Sequence, residues 1–311
     1  MLGLIAVNAS CGAPASGVPA AVRPHLARRA APTGVPTLAQ PCGRATTPPR
    51  PYRHVVLLVE ENRTWTGGRS PAVGMGFSAR TMPFLHGLAT KCSFFADWSE
   101  TNAAQNSLNQ YIGLTSGVLN SKTVNDCSPS PTCRSTDDNL FRQVRAAGGS
   151  ARTFVDGATA PCSASGNAAK HIPALYYQGA KDATFCTAEV RPFSQFDPGH
   201  LPTFTMIVPN LCHDGHDCSD ATVDAWAKTT LSRILDGESY RAGKTLVVVV
   251  YDEDRPVPNL LIAPTANAGS IRSRAGSHAA LLKTIEEALA LPILRQGQLT
   301  TAVSLRSSAH I

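Results

Sequence analysis

The sequence predicts an α/β fold: a three-layer α/β/α sandwich around a mostly parallel central sheet. Three observations predict it. Two valine-rich runs, HVVLLV at 54–59 and TLVVVVY at 245–251, lack the alternation of a half-exposed strand. Short unalternating runs of this kind are strands buried on both faces, as in a parallel sheet covered by helices. Strand-like stretches then alternate with stretches of helical periodicity, the α/β pattern. Finally, both runs end in acids, Glu60-Glu61-Asn62 after the first and Asp252-Glu253-Asp254 after the second.

The elements follow in chain order. After the strand at 54–59 come a glycine-rich loop over 66–78 and a helix near 82–91. SLNQYIGLTSG, 107–117, reads as a helix that starts at Ser107 and stops at Gly117. A helix over 137–147 has Asp137 as its N-cap and Gly148 as its stop. RTFVDG, 152–157, and TFTMIVPN, 203–210, read as strands, the latter broken by Pro209. Residues 220–236 place Val223, Trp226, Leu231, Ile234 and Leu235 on one helical face. NLLIAP, 259–264, is expected as an antiparallel edge strand, and Ser277 caps a helix over 278–290.

Composition narrows the class. The chain has 311 residues and a formal charge of +6. Residues 1–53 hold six arginines and no acid, so 54–311 carries 22 basic and 22 acidic residues, a formal balance of zero. That balance excludes the broad basic surface of a nucleic-acid binder. No apolar run reaches the length of a membrane span. Residues 12–51, rich in Ala, Pro, Gly and Arg, are expected to form a disordered tether, so that 1–51 is an export-signal remnant plus tether and 52–311 the folded domain. MLGLIAVNASC resembles the end of an export signal, with Cys11 a candidate lipid anchor.

Nine cysteines are many for a cytosolic protein, and no CxxC zinc spacing is present. Cys127 and Cys133, Cys212 and Cys218, Cys162 and Cys186, and Cys42 and Cys92 are the disulfide candidates, with the connectivity open and Cys11 left over. Disulfides place the protein outside the cytosol, secreted or associated with the cell envelope.

Four constellations carry chemistry. In open α/β sheets ligands bind just beyond the carboxyl ends of the strands. Two acid clusters at such ends would share one rim, where a cation or shared protons must neutralise their repulsion, and the rim reads as a metal site. Hard oxygen ligands suit Mg²⁺, Ca²⁺ or Mn²⁺, and Zn²⁺ where a histidine joins. Ser107 stands at a helix N-terminus, whose unpaired N–H groups favour an alkoxide or a phosphate. PNLCHDGHDCSD, 209–220, gathers His213, Asp214, His216, Asp217 and Asp220 within one cysteine-bracketed loop. Histidine beside aspartate suits proton transfer or metal ligation. His278 opens the last helix, where the local dipole disfavours the imidazolium.

Taken in order, five segments resemble a bacterial phosphoesterase family that contains acid phosphatases and phosphatidylcholine-type phospholipases C, related to the alkaline phosphatase superfamily. HVVLLVEENRTW is similar to its opening strand, with the Glu-Asn pair at Glu61-Asn62. SLNQYIGLTSG resembles its nucleophile segment, PNLCHDGHDCS its Asp-Gly-His-Asp loop, VVYDED its Asp-Glu strand end, and SHAALLKTIEEAL its closing segment. Asn106 and Asn109 stand where the family has prolines, Gln110 where it has asparagine, and Glu60 where it has an apolar residue.

The resemblance implies an exported phosphoesterase with an alkaline-phosphatase-like fold and one divalent metal ion, acting on small phosphorylated substrates, most simply monoesters. Glu61, Asn62, Asp252 and Glu253 would hold the metal, with the nucleophile Ser107 as a further ligand. His216 and His278 would contact phosphoryl oxygens or protonate the leaving group. His213, Asp217 and Asp254 are secondary candidates. Substrate choice would lie in 63–81, 118–136 and 157–200. Two rivals remain: a phospholipase C-like diesterase with Trp65, Trp98 and Tyr111 lining a choline pocket, and a secreted metal-stabilised binding module.

Overall fold

A computed structural model describes residues 1, 3, 34–65, 76–96, 98–101, 106–164, 168–179, 182–267, 269–272 and 276–311. Cys11 lies outside these residues, as does most of the glycine-rich loop expected over 66–78. The chain divides into Met1–Ala30 and a compact unit, Ala31–Ile311. Its first described stretch is fastened by the Cys42–Cys92 disulfide, by Arg44 and Ala45 N–H groups donating to Pro264 O, and by Tyr240 Oη donating to Pro41 O.

The first half runs β1 (His54–Glu60), β2 (Thr64–Trp65), β3 (Gly76–Phe77), α1 (Pro83–Ala89), β4 (Ser93–Phe95), β5 (Trp98–Ser99), α2 (Ser107–Ser116) and α3 (Leu140–Ala146). Then follow β6 (Ala151–Val155), α4 (Cys186–Glu189), β7 (Val190–Pro192), β8 (Phe204–Val208), α5 (Asp220–Leu235) and α6 (Glu238–Arg241). The chain closes with β9 (Thr245–Tyr251), β10 (Asn259–Ile262), β11 (Ser270–Arg272), β12 (Gly276–Ser277), α7 (His278–Ala288) and α8 (Arg306–Ala309).

Eight strands form the central sheet in the order β11-β4-β10-β9-β1-β8-β6-β7. From β9 to β7 every pairing is parallel, while β10 runs antiparallel to both β9 and β4. Val55–Val59 and Leu246–Val250 are fully buried, as their unalternating pattern requires. Helices α1 and α5 pack together, and α2 packs on α7 and α3. This is the mixed α/β architecture with a mostly parallel sheet that the sequence predicts.

The register of the two central strands positions the chemistry. Glu60 pairs with Tyr251, so the next residues, Glu61 and Asp252, emerge side by side at the carboxyl edge. Gly117 ends α2 in the left-handed region (φ 72°), and its N–H donates to Gly113 O.

Some elements differ from expectation. The strand over 259–264 is antiparallel but interior, because β4 and β11 add outside it. The helix expected from 137 begins at Leu140 with Asn139 as its cap, whose side chain accepts from Arg142 N–H at 3.0 Å. Asp137 is instead engaged by Ser135 Oγ and Asn120 Nδ2. Strands β4, β7 and β11 are three residues each, too short for a periodic signal.

Four disulfides form: Cys42–Cys92, Cys127–Cys133, Cys162–Cys186 and Cys212–Cys218. Alkylating the denatured, unreduced protein should therefore label a single cysteine by mass spectrometry. Labelling of further thiols would remove at least one of these pairs.

Candidate active site

Short backbone bonds tie the ends of β1 and β9 together. Asp252 N–H donates to Glu60 O at 3.1 Å, and Asn62 N–H donates to Asp252 Oδ1 at 3.2 Å. Glu253 N–H donates to the same Oδ1 at 2.8 Å. Asn62 itself adopts a left-handed backbone (φ 47°), which turns the chain so that Glu61 and Asn62 face the β9 end.

Glu61, Asp252 and Glu253 are buried, and each offers a carboxylate oxygen within 4.8 Å of the others. Burial first, and mutual repulsion with it, pushes the Glu61 carboxyl well above its ordinary range. Burial pushes Asp252 up to about 7, against the pull of its backbone N–H donors, and burial plus the Asp252 charge pushes Glu253 up to about 8. Glu61 Oε1, Asp252 Oδ2 and Glu253 Oε2 are buried without a hydrogen-bond partner. The Asn62 amide lies 3.3 Å from Glu253 Oε1 and Glu61 Oε2. Turned one way its NH₂ donates to both, and turned the other its oxygen joins theirs. An all-oxygen donor set of this kind fits a hard divalent cation.

Ser107, 1 % exposed, opens α2 beside these acids, with its Oγ donating to Glu61 Oε2 at 3.3 Å. Lys170 Nζ approaches the same Oγ at 3.3 Å and Asp126 Oδ2 at 3.2 Å. Asp126 Oδ1 accepts from Leu108 N–H at 2.9 Å, so this carboxylate also satisfies the first turn of α2. Asn109 uses its Oδ1 to accept from Thr123 Oγ1 at 2.7 Å.

The loop over 209–219 closes the site from the β8 end. Arg63, 2 % exposed, holds it. Its Nε donates to Asp220 Oδ1 at 2.6 Å, its Nη1 to the Glu61 and Asn62 carbonyls, and its Nη2 to Cys218 O. Gly215 (φ +100°) lets this guanidinium pass, since a Cβ there would lie 2.8 Å from Arg63 Nη2. Glu61 N–H donates to Asp214 O at 2.9 Å, which ties the loop to β1.

The histidines sort differently from the sequence expectation. The His216 ring centre lies 6.0 Å from that of His171, and its Nδ1 lies 2.7 Å from Asp217 Oδ1. His278 is fully buried. Its Nδ1 accepts from Thr101 N–H at 3.2 Å, which leaves Nε2 to donate to Tyr251 O at 3.3 Å. Burial pushes its pKa down to about 3. Both nitrogens are thus engaged by Thr101 and Tyr251. His213 Nδ1 meets Asp156 Oδ2 at 2.5 Å and its ring stacks on Trp226, at the β6 and β8 ends. Asp254 also turns left-handed (φ 76°), and its carbonyl accepts from Thr64 Oγ1.

Sequence reasoning passed over His171, Lys170 and Asp126, and it assigned no role to Asp214. His171 is fully buried on a 3₁₀ turn. Its Nε2 lies 3.1 Å from Glu61 Oε1 and its Nδ1 3.4 Å from Asp214 Oδ2. These are close contacts that are not aligned as hydrogen bonds. Burial lowers its pKa, and Tyr111 stacks on it at 5.0 Å. The available signal was HIPALYY, a histidine heading an apolar and aromatic run, which demands a buried polar partner.

The profile of the "Phosphoesterase family" matches residues 68–256, more than half of the chain. The chain belongs to that family. This phosphoesterase is 28 % identical over 252 residues to a phosphatidylinositol-3-phosphatase of Mycobacterium tuberculosis, covering 78 % of each chain. It is 28 % identical over 89 residues to a probable acid phosphatase of Kluyveromyces lactis, covering 27 % of this chain and 21 % of that one. A solved alkaline phosphatase superfamily protein from Vibrio parahaemolyticus shares the fold. Its TM-score is 0.52 at 11 % identity, covering 86 % of this chain and 72 % of that one. The phosphoesterase is accordingly a phosphoric ester hydrolase with an alkaline-phosphatase-like fold.

The raised carboxyls make stability depend on pH. Glu61, Asp252 and Glu253 bind protons more tightly folded than unfolded, so stability is complete below the ordinary carboxylate range and lost as pH rises through about 7 and 8. In chelator, the melting temperature should fall between about pH 5 and about pH 9, and Asp252→Asn should flatten that fall. An added divalent ion should raise it more at the alkaline end. A melting profile indifferent to pH, cation and Asp252→Asn would contradict this electrostatic account.

Proposed function

We propose that this phosphoesterase hydrolyses phosphate monoesters by passing the phosphoryl group through Ser107, with one divalent cation held by Glu61, Asn62, Asp252 and Glu253. The observation that carries the reading is the position of Ser107 Oγ. It is 3.3 Å from Glu61 Oε2, at the N-terminus of α2 and against the buried carboxylate triad. The names phosphatase and acid phosphatase on the relatives support a monoester substrate.

A bound divalent ion would lower the pKa of the Ser107 hydroxyl and offset phosphoryl charge. Ser107 Oγ loses its proton to solvent and attacks phosphorus in line as the bond to the leaving oxygen breaks, and the electron pair departs with that oxygen. His216, oriented by Asp217, supplies the leaving oxygen with a proton. Water then attacks the phosphoserine phosphorus and gives a proton back to His216, while Ser107 Oγ leaves and takes a proton from solvent to regenerate the hydroxyl. His278 takes a positioning role, since its Nε2 holds the Tyr251 carbonyl just before Asp252. Glu61 and Asp214 bracket His171, which fixes the strand end rather than the substrate.

The diesterase reading receives less support. Of the three aromatics proposed for a choline pocket, Trp98 and Tyr111 are buried, and Trp65 packs on Phe77 and Phe94. Four disulfides favour an exported protein, and among the described residues no helix is long and apolar enough to cross a membrane.

Ser107→Ala should lower turnover of p-nitrophenyl phosphate by at least about a thousandfold, and acid quenching of wild type with labelled substrate should leave phosphate on Ser107. Chelation should abolish turnover, and added divalent ion should restore it. Near wild-type turnover by Ser107→Ala in the presence of cation would remove the serine from the mechanism.

A further inference from the structure

We propose that Lys170 is a catalytic residue that contacts the phosphoryl group and sets the preference of this site for monoester dianions over diesters. The proposal rests on the Ser107 reading above and names the substrate charge that the same site selects.

The geometry begins with Ser107 Oγ, which has Glu61 Oε2 on one side and Lys170 Nζ on the other, each at 3.3 Å. Lys170 is not a loose surface lysine. Its backbone belongs to the 3₁₀ turn Ala169–His171, which is anchored by the fully buried His171 ring stacked on Tyr111. Its ammonium is held at 3.2 Å by Asp126 Oδ2, while Asp126 Oδ1 accepts from Leu108 N–H, the residue after the nucleophile. One carboxylate therefore fixes both the helix turn that carries Oγ and the cation beside it. Asp126 is the positioning residue, and its left-handed backbone (φ 49°) directs it there.

Charge makes this ammonium decisive. Glu61, Asp252 and Glu253 together outweigh a divalent ion by one charge, and Asp126 offsets Lys170. Lys170 Nζ, 3.3 Å from Ser107 Oγ, is therefore the side-chain cation placed to contact an incoming anion there. A phosphorus bonding to Oγ brings its non-bridging oxygens within reach of Nζ, where charge builds in the transition state. A phosphomonoester, with a second pKa of about 6, offers three such oxygens and two charges at neutral pH. A diester offers two oxygens and one charge, so the same ammonium stabilises it less. Lys170 keeps its proton throughout. It exchanges its contact with Oγ for one with a non-bridging oxygen while the Oγ–phosphorus bond forms and the leaving-oxygen bond breaks.

The test compares Lys170→Met, Lys170→Gln and Lys170→Arg at about pH 7, where the monoester is a dianion. The readouts are kcat/KM for p-nitrophenyl phosphate and bis-p-nitrophenyl phosphate, calorimetric affinity for inorganic phosphate, and thermal melting as a check on folding. In the neutral variants monoester efficiency should fall by about 100-fold, diester efficiency by less than about tenfold, and phosphate affinity by at least about tenfold. Lys170→Arg should recover most of the monoester efficiency. Asp126→Asn should raise monoester KM more than it lowers kcat.

Equal losses on both esters, unchanged monoester efficiency, or unchanged phosphate affinity in a folded neutral variant would overturn the proposal. Should wild-type diester turnover lie below detection, the monoester loss, the arginine rescue and the phosphate affinity decide. Indifference to Lys170 replacement while Ser107→Ala is inactive refutes only this inference. Activity in Ser107→Ala refutes the nucleophile reading beneath it.

Discussion

Repulsion among buried carboxylates is the constraint on which this structure depends. Glu61, Asp252 and Glu253 crowd one point at the carboxyl edge of the sheet, with Asp214 close behind and the fully buried Glu60 on the neighbouring face. No folded chain gains stability by gathering such groups unaided. Two backbone N–H donors on Asp252 Oδ1 offset part of the cost, while Glu61 Oε1, Asp252 Oδ2 and Glu253 Oε2 stay without a hydrogen-bond partner. The parallel register of β1 and β9 imposes the crowding, because it brings both acid clusters to one edge.

Around that edge, the rest of the fold acts as a clamp. Arg63 is the central fastening. Its guanidinium joins the β1 end, the stapled 209–219 loop and the start of α5 in one buried contact set. A buried Arg–Asp pair adds little net stability over an apolar pair, but breaking one half leaves a stranded charge. Its value here is geometric, since it fixes the loop that presents His216 relative to the strand that presents Glu61. The Cys212–Cys218 disulfide limits the same loop from the other side.

The Ser107 side is built by a different device. Asp126 satisfies the first turn of α2 and anchors Lys170, so the opening of one helix and the orientation of one ammonium depend on a single carboxylate. Both partners come from the irregular segments 118–136 and 157–200, to which the sequence reading assigned substrate choice. Loops carry such residues because the sheet and helices around them stay rigid.

The sequence by itself determined the buried strands, the acid clusters at their ends and the helix that opens at Ser107, and it named the cysteines whose pairing the fold then chose. Each is a local signal: unalternating valines, a run of acids, a helix stop at Gly117, a short bracket of cysteines. Only the tertiary structure decided which histidine meets which acid. His171 looked ordinary in sequence yet lies between Glu61 and Asp214, whereas His278 looked catalytic yet is locked against the backbone at Thr101 and Tyr251. Lys170 and Asp126 were equally invisible, being 44 residues apart on loops without periodicity. The physical reason is that contacts between distant irregular segments depend on sheet register and loop closure, and neither leaves a trace in local composition.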